Sequence, residues 1–349
     1  MKIIHCADIH LGSRMNRLPK DMAEERAREL RSTFERLISY AKNERIYTVL
    51  LAGDIFDSDR PFKKDKEFFY SAVRRNPEIT FFYLRGNHDG KESYTEEIEN
   101  LKTFGREWTS YTLGWNVVLS GIEIDRGNCL SMYSSLKLDQ DNHNIVMLHG
   151  QAGDSFGEGR VSIPRLKNKN IDYLALGHLH EQGRARIDER GISVYSGCLE
   201  GRGFDELGEK GFMVYDTDTK EVAFVPFAYR TIEERSIDIS GAHDGYEAAQ
   251  KIKNVIQIDK KNLLRLNLTG EIDFVDENLA EDVEKYVSDI CYFVSVKDST
   301  RLKVDYSSFK DSLSLKGEFV RLVSAADLSD SDRQKILDLG IRALSGQEE

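Results

Sequence analysis

Five short polar motifs, each placed directly after a run of apolar residues, constrain the fold of this chain more than any other feature. They are Asp8-Ile9-His10, Gly53-Asp54-Ile55-Phe56-Asp57, Gly86-Asn87-His88-Asp89, Leu148-His149-Gly150 and Gly177-His178-Leu179-His180. Short apolar runs bounded by turn residues are typical of buried strands. The pattern therefore predicts that every metal-ligand type of side chain in these motifs lies at the end of a strand.

The bulk composition limits the class of protein. The chain has 349 residues, of which 40% are hydrophobic, and its net charge is -11. This length allows more than one domain, and the charge excludes a generally basic nucleic-acid binder, so a nucleic-acid partner would have to contact local basic patches or metal ions. Four scattered cysteines without a Cys-x-x-Cys pair predict neither a disulfide framework nor a zinc ribbon. With no signal peptide and no apolar run of membrane length, we expect a cytoplasmic protein without a membrane partner.

The first third of the chain alternates strands and helices. Apolar runs predict strands at 2–7, 47–52 and 79–84, and helical periodicity predicts helices at 21–42 and 65–75. This β-α-β-α-β order favours a parallel sheet covered by helices.

After Trp115 strands follow one another with few helices. We predict them at 116–124, 129–133, 144–148, 173–176, 192–195, 212–215 and 222–227. A second sheet stacked on the first would accommodate them, with helices outside. The expected fold class is thus α/β, a four-layer α-β-β-α sandwich.

The pattern changes again near residue 230. Strands at 235–239, 262–268 and 291–296 alternate with helices at 246–256 and 277–287, as in a small α/β unit without metal-type motifs. Two helical pieces follow, and Ser329-Asp330-Ser331-Asp332 resembles a capping box at the start of the second. We predict domains at 1–232 and 233–300 and a C-terminal helical segment at 301–349.

The residue types in the five motifs suit a two-metal site. Asp8 and His10 are two residues apart, Asp54 offers a carboxylate that can bridge two cations, and Asn87 offers an amide oxygen. The imidazole nitrogens of the set belong to His149, His178 and His180. Such a mixed set favours manganese, iron or zinc over calcium, and a metal pair acidifies water for attack on phosphorus.

His88 and Asp57 are the candidate catalytic residues that are not metal ligands. His88 follows the ligand Asn87 and would point at the substrate, where it could protonate the leaving oxygen. Asp57 could hold the other nitrogen of His88 and favour the charged imidazole.

Each motif alone has a simpler interpretation. Asp-x-His occurs by chance, Gly-Asn-His-Asp is common in turns, and Gly-His-Leu-His could be two solvated histidines around a core leucine. The combination favours the metal site, because five of the eight histidines fall inside these motifs and each motif lies at a strand end.

The ordered set resembles the calcineurin-like metallophosphoesterase superfamily. The resemblance implies one metal held by Asp8, His10, Asp54 and His180, and a second held by Asp54, Asn87, His149 and His178. It also implies that His88 stabilises the transition state and protonates the leaving group. All of these positions are filled in this chain.

Within the superfamily the chain resembles the SbcD-type DNA repair nucleases. The resemblance is carried by residues 5–12, by the Gly53–Asp57 motif and by residues 195–206, with Ser196 where that family usually has proline. It implies a manganese-dependent DNA exonuclease or endonuclease, with magnesium, iron or zinc as alternative metals. It further implies a capping domain after residue 230, a homodimer, and a coiled-coil ATPase of the SbcC type that docks on the C-terminal helices. The alternative is that these helices pack on their own domain and that the chain works without the ATPase.

Two other functions remain open from the sequence. One is a phosphodiesterase acting on small nucleotides or other phosphoesters, since fold and ligands are shared across the superfamily. The other is a catalytically silent scaffold for an ATPase partner, against which the intact ligand set and His88 argue. Several basic side chains are compatible with phosphate contacts, although a solvated surface is the commoner role for each of them: Arg14, Arg17, Arg60, Lys63, Lys64 and Arg202.

Overall fold

The computed structural model describes residues 1–15, 18–90, 93, 96–303 and 312–344. The chain divides into two compact units. Unit 1 comprises Met1–Glu234, Asp259–Arg265 and Cys291–Phe293, and unit 2 comprises Arg235–Ile258, Leu266–Ile290 and Val294–Glu349. The predicted limits of three domains, at 232/233 and 300/301, stay a prediction, as does the capping role of the middle one.

The described helices and strands are as follows. The helices are α1 (Lys20–Asn43), α2 (Lys63–Arg74), α3 (Met132–Ser135), α4 (Ile163–Leu166), α5 (Gly245–Val255), α6 (Leu279–Val287), α7 (Leu315–Ala325) and α8 (Asp330–Leu344). The strands up to residue 153 are β1 (Lys2–Cys6), β2 (Thr48–Ala52), β3 (Thr80–Leu84), β4 (Leu101–Thr103), β5 (Thr109–Thr112), β6 (Val117–Gly121), β7 (His143–His149) and β8 (Gln151–Gly153). The later strands are β9 (Arg160–Ser162), β10 (Tyr173–Gly177), β11 (Gly183–Arg186), β12 (Ile192–Tyr195), β13 (Gly211–Asp216), β14 (Val222–Pro226), β15 (Ile232–Asp238), β16 (Leu263–Thr269), β17 (Glu271–Ile272), β18 (Phe293–Asp298) and β19 (Arg301–Leu302).

Unit 1 contains two six-stranded sheets. The first has the order β14-β13-β1-β2-β3-β4, in which β1, β2 and β3 are parallel neighbours as predicted. The second has the order β11-β12-β10-β7-β6-β5, in which β6, β7, β10 and β12 run parallel. The assignment of β13 and β14 to the second sheet was wrong. Strand β13 pairs antiparallel with β1 and thereby satisfies the backbone groups of an edge that would otherwise be unpaired.

The side chains of unit 1 form layers because successive residues of a strand point to opposite faces. On β1, Ile4 and Cys6 pack against α1 and α2 through residues such as Phe34 and Phe69. Ile3, on the opposite face, packs in a core shared by both sheets with Ile145. The outer face of the second sheet is covered by a core that lies around α3 and α4. The predicted α-β-β-α sandwich is confirmed.

The predicted strand at 129–133 was wrong. Asp125 Oδ1 accepts hydrogen bonds from the backbone N–H groups of Gly127 and Asn128 at 2.7 and 3.0 Å. Asn128 Oδ1 accepts one from the N–H of Asp125 at 2.8 Å. Such local side-chain bonds stabilise turns in competition with strands, and the chain then enters α3.

Unit 2 confirms the predicted helices near 246–256 and 277–287 as α5 and α6. Helices α7 and α8 pack against each other around Val320, Val323, Leu337 and Ile341. The N-cap bond of the predicted capping box is present, since Ser329 Oγ accepts a hydrogen bond from the Asp332 N–H at 3.2 Å. None of the helices in the described ranges combines the length and the apolar character needed to cross a bilayer.

A buried histidine in β1 makes the stability of unit 1 depend on pH. His5 is fully buried, with Nδ1 2.9 Å from the Tyr173 hydroxyl and Nε2 3.2 Å from the Leu176 carbonyl. Burial lowers the pKa of His5 to about 3, and the bond to Leu176 offsets only part of this effect. At pH values between about 3 and about 6.5, His5 binds a proton in the unfolded chain but not in the folded chain. Stability from this group is therefore complete above about pH 6.5 and falls as the pH drops.

We expect His5→Gln to lose this pH dependence. Between about pH 7.5 and about pH 5, the wild type should lose about 2 kcal/mol more unfolding free energy than the variant, because only the wild type carries the excluded proton. Urea unfolding in the presence of a chelator measures the difference without a contribution from metal binding. Equal pH dependence in both proteins would contradict the assignment.

Candidate metal centre

The candidate ligands lie at the ends of parallel strands in both sheets. Asp8, Asp54 and Asn87 follow β1, β2 and β3, which share one direction, so they lie at the same edge of the first sheet. His149 ends β7 and His178 follows β10, and the register pairs Gly177 with His149. The carboxyl ends of neighbouring parallel strands are where ligand sites of α/β proteins form.

Two hydrogen bonds join the edges of the two sheets. His149 Nδ1 lies 2.9 Å from the Ala52 carbonyl oxygen. The backbone N–H of His178 donates to Asp8, with both carboxylate oxygens at 3.0 Å. The ligands of the two sheets are therefore held in one cluster.

The backbone of the cluster is strained at four of its ligands. Asp8, His10, Asp54 and His178 have φ values of 51°, 53°, 52° and 105°. Positive φ is uncommon for residues other than glycine and concentrates at functional sites, where the surrounding structure holds it in place. Gly53 is required beside them, because a Cβ there would overlap the His149 ring.

A first donor group consists of Asp8, His10 and His180, whose ligand-type atoms lie within 4.8 Å of one another. The Nε2 atoms of His10 and His180 face each other at 3.1 Å. Burial raises the pKa of Asp8 to about 7, with a further contribution from the negative charge of Asp54. It also lowers the pKa of His10 to about 4, so this imidazole is neutral and can act as a ligand.

A second donor group consists of Asp54, His149 and His178, again within 4.8 Å. Asn87 completes it, since its Oδ1 lies 2.9 Å from both His149 Nε2 and His178 Nδ1. Asp54 Oδ2 is 3.4 Å from His149 Nε2. His149 donates through Nδ1 to the Ala52 carbonyl, which leaves Nε2 as the atom that faces the group.

Both groups have the chemistry of a cation site. In each group, oxygen and imidazole lone pairs point at one another with few protons between them. Buried acceptors in this arrangement repel one another unless a positive charge lies among them. The pKa of His149 shows the same preference for positive charge. Burial alone would lower this pKa, yet the hydrogen bond to Asp54 and the negative charge of Asp54 raise it to about 9. The mixed carboxylate, amide and imidazole donors therefore fit divalent metal ions.

A set of charged residues surrounds the first donor group. Asp57 Oδ1 lies 3.1 Å from His10 Nδ1, and Glu206 Oε1 lies 2.7 Å from His180 Nδ1. Arg202 joins these carboxylates, since its guanidinium donates to Asp57 Oδ1 at 2.7 Å and to Glu206 Oε1 at 2.6 Å. Carboxylates on the second nitrogen of a metal-binding histidine fix its tautomer and orientation.

Glu206 and the structural role of Arg202 were missed by sequence reasoning. From the sequence, Arg202 was compatible with a phosphate contact or with a solvated surface, whereas the structure pairs its guanidinium with two carboxylates. Both residues belong to the stretch 195–206 that carries the resemblance to DNA repair nucleases. That stretch was the only signal for them, because no metal-ligand spacing connects them to the five motifs.

His88 is exposed at the edge of the cluster. Its backbone N–H donates to Asp54 Oδ1 at 2.8 Å, and its ring centre is 5.1 Å from that of His10. It shares a group of ligand-type atoms within 4.8 Å with His10 and Asp57. The shortest contacts of Asp57 are to His10 and Arg202, however, so its predicted bond to His88 is replaced by these two.

The remaining predicted basic residues differ in their surroundings. Arg14, Arg60 and Lys64 are exposed and make no ion pair with the described residues. Lys63 pairs with Glu67 at 3.5 Å, and Arg17 lies outside the described residues.

Comparison with known proteins agrees with this geometry. Residues 1–182 match the family model of the calcineurin-like phosphoesterases. The chain is 25% identical to a DNA double-strand break repair protein Mre11 from Sulfolobus acidocaldarius, over 89% of this chain and 88% of that protein. It is 24% identical to the protein of the same name from Sulfurisphaera tokodaii, over 98% of this chain and 93% of that one. A dimetal phosphatase from Danio rerio superposes with a TM-score of 0.42 at 9% identity, over 61% of this chain and 91% of the phosphatase.

The match covers more than half of the chain and contains all five motifs completely. The predicted resemblance to the superfamily is confirmed. This chain belongs to the calcineurin-like phosphoesterase family and is a metal-dependent hydrolase of phosphodiester bonds.

Proposed function

We propose that this chain is a manganese-dependent DNA nuclease that acts in DNA repair. The observation that carries the proposal is the convergence of five strand-end motifs into two adjacent donor groups, with His88 exposed beside them. The names of the two relatives, which match nearly the whole chain, support DNA as the substrate.

The proposed ligands divide into two sets that share one carboxylate. Asp8, His10, Asp54 and His180 hold one ion, and Asp54, Asn87, His149 and His178 hold the other. Manganese suits this mixture of oxygen and imidazole nitrogen, and magnesium, iron and zinc are the alternatives. When bound, the cations supply Lewis-acid stabilisation of charge on the phosphoryl oxygens and lower the pKa of water.

The residues of the chain supply positioning and proton transfer. Asp57, Glu206 and Arg202 keep His10 and His180 in the orientation in which Nε2 faces the first donor group. Asp54 accepts a hydrogen bond from the backbone N–H of His88, and this bond fixes the backbone position from which the His88 side chain extends. The His88 ring then hydrogen-bonds the phosphoryl group and gives a proton to the leaving oxygen.

The proposed partners are an ATPase of the SbcC type and a second copy of this chain. Helices α7 and α8 pack through one apolar face and also expose Leu315, Leu322 and Leu339. Leucines on an outer face of a helical hairpin suit the apolar seam of a coiled coil.

A phosphodiesterase for small nucleotides is the second candidate function. A cavity of about 620 Å³ lies beside the second donor group, lined by Asn87, His149, Arg85 and Glu123 among others. This volume lies in the range that accommodates small-molecule ligands, so a mononucleotide would fit.

The substrate is tested by incubating the protein and Mn²⁺ with end-labelled duplex DNA, in parallel with a small phosphodiester such as methyl 4-nitrophenyl phosphate. We expect DNA to be degraded and a chelator to stop the reaction, because the donor groups need their cations. Hydrolysis of the small ester with intact DNA would favour the second candidate. Absence of metal-dependent turnover of both would contradict both enzymatic functions.

A further inference from the structure

An exposed aromatic ring has two cations within cation–π distance and lies against the loop that follows His10. Phe62 directly precedes α2 and is 49% exposed. The Arg14 guanidinium carbon lies 6.0 Å from the centre of its ring, and the Lys64 ammonium nitrogen lies 5.7 Å from it. Both distances are within the range of cation–π attraction.

The Phe62 ring lies against the loop that carries His10, and that loop is hydrogen-bonded to the loop that carries Asp57. Phe62 lies against Gly12, where an added Cβ would be 3.7 Å from Phe62 Cδ2. Gly12 is the second residue after His10. The adjoining Leu11 is hydrogen-bonded to the loop that follows β2. Its backbone N–H donates to the Ile55 carbonyl at 2.8 Å, and its carbonyl accepts from the Asp57 N–H at 3.1 Å. The ring therefore lies against the loop that carries His10, which is itself bonded to the loop that carries Asp57.

The charge around this ring sets it apart from an ordinary exposed aromatic side chain, which is common on protein surfaces. Tyr47 is equally exposed, at 50%, but the nearby Lys42 is neutralised by Glu78 at 2.9 Å. Arg14 and Lys64 make no ion pair with described residues, although the chain carries a net charge of -11. Two cations that make no ion pair within the described residues thus lie at one exposed ring, in a protein that is a phosphodiesterase.

We propose that Phe62, Arg14 and Lys64 form a binding site for single-stranded DNA, in which an unpaired base stacks on the Phe62 ring and the two cations contact the flanking phosphates. A stacking surface between cations is the arrangement that binds single strands without reading their sequence. The proposal rests on the proposed nuclease function and adds a substrate class to it, an unpaired strand or a frayed end.

The test compares the affinity of Phe62 variants for labelled oligothymidylate in the presence of Mn²⁺. All proteins carry His88→Ala so that the strand stays intact, and fluorescence anisotropy gives the dissociation constants. Phe62→Leu keeps an apolar side chain but removes the aromatic face, and should weaken binding about 5-fold or more. Phe62→Trp should restore the affinity, and Tyr47→Leu, the matched control, should bind as the parent does. Equal affinity of Phe62→Leu and the parent would overturn the proposal.

An abasic strand and two charge variants separate stacking from charge. On an abasic strand of the same length, Phe62→Leu and the parent should bind alike, and an undiminished effect of the substitution there would overturn the stacking role. Arg14→Gln and Lys64→Gln should weaken both strands and reduce the slope of log affinity against log salt by about 0.7 for each lost phosphate contact. Failure of the nuclease function has its own signature, since the protein with His88 intact would then leave DNA uncleaved, whether or not it hydrolyses methyl 4-nitrophenyl phosphate.

Discussion

His88→Ala is expected to reduce turnover roughly 10²–10⁴-fold while the protein still binds its divalent metal ions. The reduction follows from removing the exposed imidazole that is proposed to protonate the leaving oxygen. Metal binding should persist, because His88 contacts Asp54 through its backbone N–H at 2.8 Å, which the substitution leaves in place.

The two effects are measured separately. Calorimetric titration with Mn²⁺ gives the stoichiometry and affinity, and hydrolysis of labelled DNA gives the rate. His243→Ala serves as the control, because His243 is also an exposed histidine but belongs to unit 2, where it pairs with Asp273. Loss of metal from His88→Ala would show that His88 is a ligand and would remove the proposed role.

Arg202→Met is expected to weaken metal binding at the first donor group about 10- to 100-fold, which is the usual cost of losing a partner of a ligating histidine. The guanidinium bridges Asp57 and Glu206, and these carboxylates contact His10 and His180. Although burial alone would raise the pKa of Glu206, its bonds to His180 and Arg202 hold it well below the ordinary range. Without Arg202 the two carboxylates repel each other, so both imidazoles lose their fixed orientation.

The second donor group provides an internal reference for this prediction. The described side chains of Asn87, His149 and His178 form neither a hydrogen bond nor an ion pair with Arg202. A Mn²⁺ titration of Arg202→Met should therefore resolve one weakened class of sites and one unchanged class. Arg202→Lys should recover only part of the affinity, since an ammonium group cannot bridge two carboxylates as a planar fork does.

Arg190→Met is the matched control for the loss of a partly buried ion pair. Arg190 binds Asp172 at 2.8 Å, next to the start of β10 and away from the end that carries His178. This variant should lose stability but retain both classes of metal site. Wild-type affinity of Arg202→Met for Mn²⁺ at both classes would contradict the assigned role.

Much of the fold followed from local patterns. The strands β1, β2 and β3 and helices α1 and α2 were predicted because apolar period and length are properties of short segments. The strand expected at 129–133 was wrong because the side chains of Asp125 and Asn128 close a turn there. The partner of β13 was also missed, because periodicity shows which residues are buried but not which edge a strand joins.

The candidate site likewise contains residues that were predicted from the sequence and residues that were not. The residues of both donor groups were all named from the sequence, because a polar residue directly after a buried strand stays near the end of that strand when the sheet forms. The bond of Asp57 was assigned to His88, whereas the structure places Asp57 against His10 and Arg202. Glu206 belonged to the stretch 195–206 that carries the resemblance but was given no role at the site, although it lies 2.7 Å from His180.

The amino-acid pattern was enough to predict the residue types of the candidate ligands, their positions at strand ends and the phosphoesterase family. Which side chains orient those candidate ligands, and which cations make no ion pair within the described residues, became visible only in the folded chain. Asp57, Glu206 and Arg202 meet through loops, and Arg14 and Phe62 approach each other across two different loops. A strand propagates its direction by regular hydrogen bonding, so its end can be predicted from its length and pattern. The path of a loop depends on long-range packing, and contacts between loops exist only in the folded chain.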